Sequence, residues 1–108
     1  NSQNELWTYM LEYFVREYSR IAEINLGTDR LSTQLAFSIR LYCYGAVCMS
    51  KEWILTDHIT PAETAIRMMF ESMPQSLKEI YFRNGQPKSI RTVQPLMFGI
   101  EVGLRFSL

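Results

Sequence analysis

One stretch limits what this chain can fold into more than any other: residues 35–55, LAFSIRLYCYGAVCMSKEWIL. It has no proline, a single glycine and few charges. Set on a helix, its apolar side chains fall on nearly every side, among them Phe37, Ile39, Leu41, Tyr44, Val47, Met49, Trp53 and Leu55. A helix apolar all round has to be surrounded by protein. Small residues also follow one stripe, at Ser32, Ala36, Cys43, Ala46 and Ser50, and small side chains let a second helix approach closely. The expectation is a central helix over residues 30–57. One face packs its own domain and another packs a second copy of the chain.

The rest of the chain supplies too few helices to cover it. The 108 residues amount to one domain's worth of chain, 47% hydrophobic and 13% aromatic, which is enough for a real core. Residues 4–25 predict a first helix, with Trp7, Met10, Leu11, Phe14, Tyr18, Ile21 and Ala22 on an apolar face at three-to-four spacing. Gly27 is its expected C-terminal cap. Thr28, Asp29 and Ser32 are alternative N-caps for the central helix. Thr60-Pro61-Ala62-Glu63 reads as a capping box with proline in the first turn, opening a third helix over 61–73. Pro74 ends or kinks that helix, with a short helical piece over 75–82 beyond it. Trp53 is expected to lie buried where the second and third helices meet.

With only two other main helices, one face of the central helix and part of the third stay open. An exposed apolar patch on that scale marks a partner surface. The expectation is a homodimer with a four-helix seam. Its contacts come from Cys43, Ala46, Val47 and Ser50 on the second helix and Ile66, Met69, Phe70 and Met73 on the third.

After Asn84-Gly85, a turn signal, the pattern changes. From Phe98 to Leu108 apolar residues alternate strictly with Gly99, Glu101, Gly103, Arg105 and Ser107, which is a strand pattern. A strand needs a partner, either Ile90–Val93 in a hairpin or another chain. The chain thus divides into a helical dimerisation domain at 1–82 and a tail at 83–108 with a strand or hairpin. The fold class is all-α, a helical bundle with a β-strand-like C-terminal tail.

Charge and motifs exclude several functions. Eleven basic and eleven acidic residues cancel, leaving no electrostatic footprint for nucleic acid. No run of apolar residues is long enough to span a membrane, and the polar start NSQNEL is not a secretory leader. Cys43 and Cys48 sit about 140° apart on one helix and cannot bond to each other there. Two thiols left unpaired suit a reducing, cytoplasmic setting. His58 is a lone loop histidine without ligand-spaced neighbours, so no metal or cofactor is expected. No G-x-S-x-G, phosphate-cradling loop or His-containing triad is present, and an enzyme is not expected.

The segment 42–82 resembles the C-terminal regulatory domain of TetR-like transcriptional repressors. The resemblance rests on Tyr44-Gly45-Ala46 within a long apolar helix, Trp53 near its end, the short loop to Thr60-Pro61-Ala62-Glu63, Ala65 and the Met73-Pro74 break. It extends over residues 4–82. It implies that the last two helices pair with the same two from a second subunit, and that the first helix walls an effector pocket. DNA would be contacted only through a segment absent here. The effector, small and mainly apolar, would lie between the first helix and the N-terminal half of the second, against Tyr9, Tyr13, Phe37, Arg40, Leu41 and Tyr44. Arg40 would anchor an anionic or carbonyl group; alternatively its head snorkels to water. Tyr9 and Tyr13 either line that cavity or edge the core. The alternative function is a helical protein–protein interaction module with no small-molecule ligand.

Overall fold

The first helix stops where a glycine lets it stop. In the computed structural model, which describes residues 2–57, 59–95 and 97, α1 runs from Ser2 to Leu26. Gly27 then takes a φ of 66°, a left-handed conformation that costs glycine nothing. The Thr28 N–H donates to the Glu23 carbonyl at 3.0 Å and the Gly27 N–H to the Ile24 carbonyl at 3.2 Å, the paired closure of a Schellman motif. Trp7, Met10, Phe14, Tyr18, Ile21 and Ala22 are buried, as their spacing predicts. On the wet side Arg20 clamps Glu17 at 2.9 Å. That contact holds the Glu17 carboxyl below its ordinary pKa.

Of the three candidate caps for the central helix, Ser32 takes the role. Its hydroxyl accepts from the Leu35 N–H at 3.2 Å, and α2 runs from Thr33 to Thr56. Thr28 instead closes the preceding loop by accepting from the Arg30 N–H. Ile39, Cys43, Ala46, Val47, Ser50 and Ile54 are the buried positions of α2.

The capping box expected at Thr60 does not form. Pro61 occupies the N-cap position of α3 (Ala62–Glu71) without a side-chain cap bond. The Thr60 hydroxyl donates to the Asp57 carboxylate at 2.7 Å, and Asp57 also accepts from the N–H groups of Ile59 and Thr60. An ionised carboxylate is the stronger acceptor, so Asp57 organises this corner. The Met73-Pro74 break falls where expected, and Pro74 stands at the N-cap of α4 (Gln75–Tyr81).

Asn84 and Gly85 both have positive φ, 51° and 77°. That is the type I′ turn Asn-Gly favours, and it joins β1 (Phe82–Arg83) to β2 (Gln86–Pro87), with Phe82 opposite Pro87 and Arg83 opposite Gln86. Ile90–Val93 is not a hairpin strand. Ile90–Thr92 is a 3-10 turn, because the Thr92 carbonyl is taken by the Tyr18 hydroxyl at 2.7 Å rather than by a strand. The expected boundary after residue 82 therefore lies inside a hairpin, and Thr92 is fully buried beyond it. The alternating run 98–108 and His58 lie outside the described residues.

The described chain is thus mostly helical, with four α-helices and one small antiparallel sheet. The core gathers Met10, Phe14 and Tyr18 from α1, Ile39 and Cys43 from α2, and Leu77 and Tyr81 from α4. Each large apolar side chain so buried contributes about 1.5–3 kcal/mol. Among the described residues no helix is long and apolar enough to cross a membrane.

Candidate functional site

Because α2 is apolar on every side, what matters is which side its neighbours leave uncovered. α1 packs along the face holding Ile39, Cys43 and Val47, which join its buried residues in one cluster. α3 and the loop before it are tied to an adjacent face, each at one point. Tyr42 donates its hydroxyl to the Met69 carbonyl at 2.6 Å, and Trp53 donates its indole N–H to the Thr60 carbonyl at 2.9 Å. Between these ties the Ser50 hydroxyl donates to the Ala46 carbonyl at 2.7 Å, with the Met69 sulfur 3.5 Å away.

Alongside these ties a groove of about 650 Å³ opens between α2 and α3, within the range of small-molecule sites. Leu41, Gly45 and Met49 wall it from α2, and Ala65 and Met68 from α3, with Tyr42 and Trp53 presenting aromatic surface. A Cβ added to Gly45 would meet nothing within 4 Å, so the helix backbone is open to the groove there. Among the described residues the lining carries two charged side chains, Glu52 and Asp57, both acidic.

The effector residues expected from the sequence do not converge. Tyr9, Phe37 and Leu41 are 55%, 67% and 65% exposed. Tyr9 and Tyr13 stack on each other along α1 with ring centroids 6.5 Å apart. Arg40 lies over the Tyr44 ring, 4.9 Å from its centroid, and hydrogen-bonds the Tyr44 hydroxyl. These are surface pairs of neighbouring turns. α1 packs directly on α2 and fills the space a pocket between them would need. Only Leu41 of the six lines the α2–α3 groove. Met49, Trp53 and Met68 belong to that groove and were not singled out as ligand contacts. The signal for them was present, since Gly45, Met49 and Trp53 recur every four residues along one side of α2, and Met68 lies on the next helix.

The expected dimer residues are also placed differently. Cys43, Ala46, Val47, Ser50 and Met73 are buried within the protomer. Ile66, Met69 and Phe70 are half-buried against the same core. The chain's own packing uses that stripe. The open apolar face of α2 carries Phe37, Leu41, Tyr44 and Leu55 instead, together with exposed Cys48.

Burial also decides the chemistry of the polar core. It pushes the Cys43 thiol up to about 12 and holds the Tyr18, Tyr42 and Tyr81 hydroxyls above their ordinary value. All four are neutral near pH 7, so none of them is an activated nucleophile. Among the described residues no three His, Cys, Asp or Glu side chains gather as a metal site. What the arrangement offers is apolar recognition along α2 and in its groove against α3. Set against family models, curated proteins and solved structures, the chain matches none of them.

Proposed function

We propose that this chain is the ligand-sensing and dimerisation domain of a TetR-like transcriptional repressor, working in the cytoplasm, with DNA contacted by residues outside these 108. The observation that carries the reading is the uncovered face of α2, where Phe37 and Leu41 stand about two-thirds exposed on a 24-residue helix. An isologous contact between two such faces closes the patch without leaving another open. The effector site of this proposal is the α2–α3 groove, not the α1–α2 space. A ligand there separates or tightens α3 against α2. It thereby shifts the population between two packings of the dimer, and the spacing of the attached DNA-reading heads changes with it.

The second reading is a helical interaction module without a small-molecule ligand. It is favoured by the surface placement of Tyr9, Tyr13, Phe37, Arg40 and Tyr44, none of which lines the groove. Sedimentation equilibrium at micromolar concentration and thermal melts against a panel of small apolar ligands separate the two. A dimer whose melting temperature rises with ligand supports the sensor. A dimer indifferent to every ligand favours the module, and a monomer removes the regulator reading.

A further inference from the structure

We propose that Asn84-Gly85 is a self-modification site gated by its own hairpin. While the turn is closed Asn84 stays intact. Once it opens, the Gly85 nitrogen displaces the Asn84 side-chain amide, and the isoaspartate that results keeps the hairpin from closing again. The proposal uses neither the α2–α3 groove nor the dimer seam.

The two residues carry the reagents. The Asn84 Cγ and the Gly85 backbone nitrogen are the two ends of a five-membered ring in waiting. Both residues are exposed, and a Cβ placed on Gly85 would meet nothing within 4 Å, so no side chain shields the nitrogen. Among the described residues the Asn84 side chain has no hydrogen-bond partner. The Gly85 nitrogen bonds to Cγ as the Cγ–Nδ2 bond breaks, and Nδ2 leaves as ammonia with the proton from the Gly85 N–H. Water then opens the cyclic imide. Attack at Cγ gives aspartate, and attack at the Asn84 backbone carbonyl gives isoaspartate, with the chain now running through Cγ.

The turn itself is the gate. Ring closure needs the Gly85 nitrogen on the same side of Asn84 as its Cβ. Asn84 has a φ of 51°, and the ψ of a left-handed residue, roughly +30 to +60°, turns that nitrogen to the side away from Cβ. The closed hairpin therefore protects the bond. It opens easily, because each strand is two residues long and a lone hairpin is marginal in water.

The product acts on the rest of the fold through register. A type I′ loop has a fixed length, and isoaspartate adds one methylene to it. Phe82 then no longer meets Pro87. Phe82 is packed edge-on against Phe70 with centroids 5.5 Å apart, and the Lys88 N–H donates to the Tyr81 carbonyl at 2.8 Å. Further along, the Thr92 carbonyl holds the Tyr18 hydroxyl. Lengthening the loop pulls on every one of these contacts.

The test incubates the unmodified chain in mildly alkaline buffer, native and unfolded in urea. Peptide mapping reads aspartate and isoaspartate at position 84, with released ammonia measured alongside. Conversion should be at least about tenfold slower in the native chain, because only the open hairpin reacts. Equal rates overturn the gate, and no conversion at this position in the unfolded chain overturns the site. Asn84→Asp supplies the new charge without the methylene, and Asp-Gly suits the same turn. Its urea midpoint should match that of the unmodified chain, whereas the isoaspartate form, isolated by chromatography and refolded, should melt at lower urea. Equal midpoints for the isoaspartate form and Asn84→Asp overturn the claim that the hairpin is held open.

Discussion

The Tyr81 hydroxyl donates to the Tyr18 backbone carbonyl at 2.7 Å, and the two rings meet edge to face with centroids 5.3 Å apart. The Tyr18 hydroxyl in turn donates to the Thr92 carbonyl, also at 2.7 Å. One residue of α1 therefore holds both α4 and the 3-10 turn. Tyr18→Phe leaves the Thr92 carbonyl buried without this donor. We expect a loss of about 1–3 kcal/mol, read as a lower urea midpoint with an unchanged slope. An unchanged midpoint would show that the bond is dispensable.

The Thr92 hydroxyl is fully buried and has no hydrogen-bond partner among the described residues. Valine has nearly the same shape and no polar atom to desolvate. Thr92→Val should therefore stabilise the fold by about 1 kcal/mol. A destabilised variant in the same urea melts would show that the hydroxyl finds a partner.

The buried tyrosines also set an alkaline limit. Burial holds Tyr18, Tyr42 and Tyr81 above the ordinary phenol value, which is about 10 in an unfolded chain. The folded state keeps protons that the unfolded state releases, so this contribution to stability is fully present below about pH 10 and lost as pH rises beyond it. Phenolate absorbance from these three residues should appear together with loss of helical circular dichroism. Ionisation of all six tyrosines well before unfolding would show that the three are accessible.

The two thiols should separate cleanly. Cys48 is exposed, and Cys43 is buried with its thiol pushed up to about 12. Near neutral pH a disulfide-exchange reagent should label one cysteine of the unassociated chain, Cys48, which the proposed seam covers in the dimer, and Cys48→Ser should abolish that labelling. The second thiol should react only in denaturant. Rapid labelling of both in the native state would show that α2 opens readily.

Leu41 and Ala46 tell the dimer surface from the core. Leu41 is 65% exposed and Ala46 only 7%. On the proposed seam Leu41→Arg should give a folded monomer, because it places charges where two copies meet. Ala46→Arg should unfold the chain, since its charge would be buried within the protomer. Sedimentation with circular dichroism reads both. A Leu41→Arg variant that remains dimeric would move the seam elsewhere.

Much of the fold was legible in the residues, and the reasons differ by element. Met10, Phe14, Tyr18 and Ile21 stood out because Glu12, Arg16, Arg20 and Glu23 mark the opposite face of α1. The Asn84-Gly85 turn was legible because two consecutive positive φ angles need such residues. α2 gave no such phase. With apolar side chains all round, its spacing states that it is covered but not which side faces α1. Cys43, Val47 and Ser50 were accordingly assigned to a seam while they sit in the core. The pocket expected beside Tyr9 and Tyr13 shared that cause, since a stripe cannot show that the next helix packs flush against it. At Thr60 the local motif was sound, but the Asp57 carboxylate already accepts from the Thr60 N–H, the donor that the Glu63 side chain would take in a capping box. Trp53 is half-buried rather than buried, because its ring edges the groove and its N–H reaches the Thr60 carbonyl.

The bond from Tyr18 to Thr92 joins residues 74 apart in the chain. On a ribosome, where the N-terminal part of a chain emerges first, α1 and α2 can pair as a helical hairpin while residues 81–92 are still being made. The far side of α1 cannot be sealed then. Its Tyr18 carbonyl waits for Tyr81, and its hydroxyl waits for the carbonyl of Thr92. The nascent chain thus carries an unfinished apolar edge until residues 81–92 have been made, and those residues work as the closing staple of a helix made 63 to 74 residues earlier.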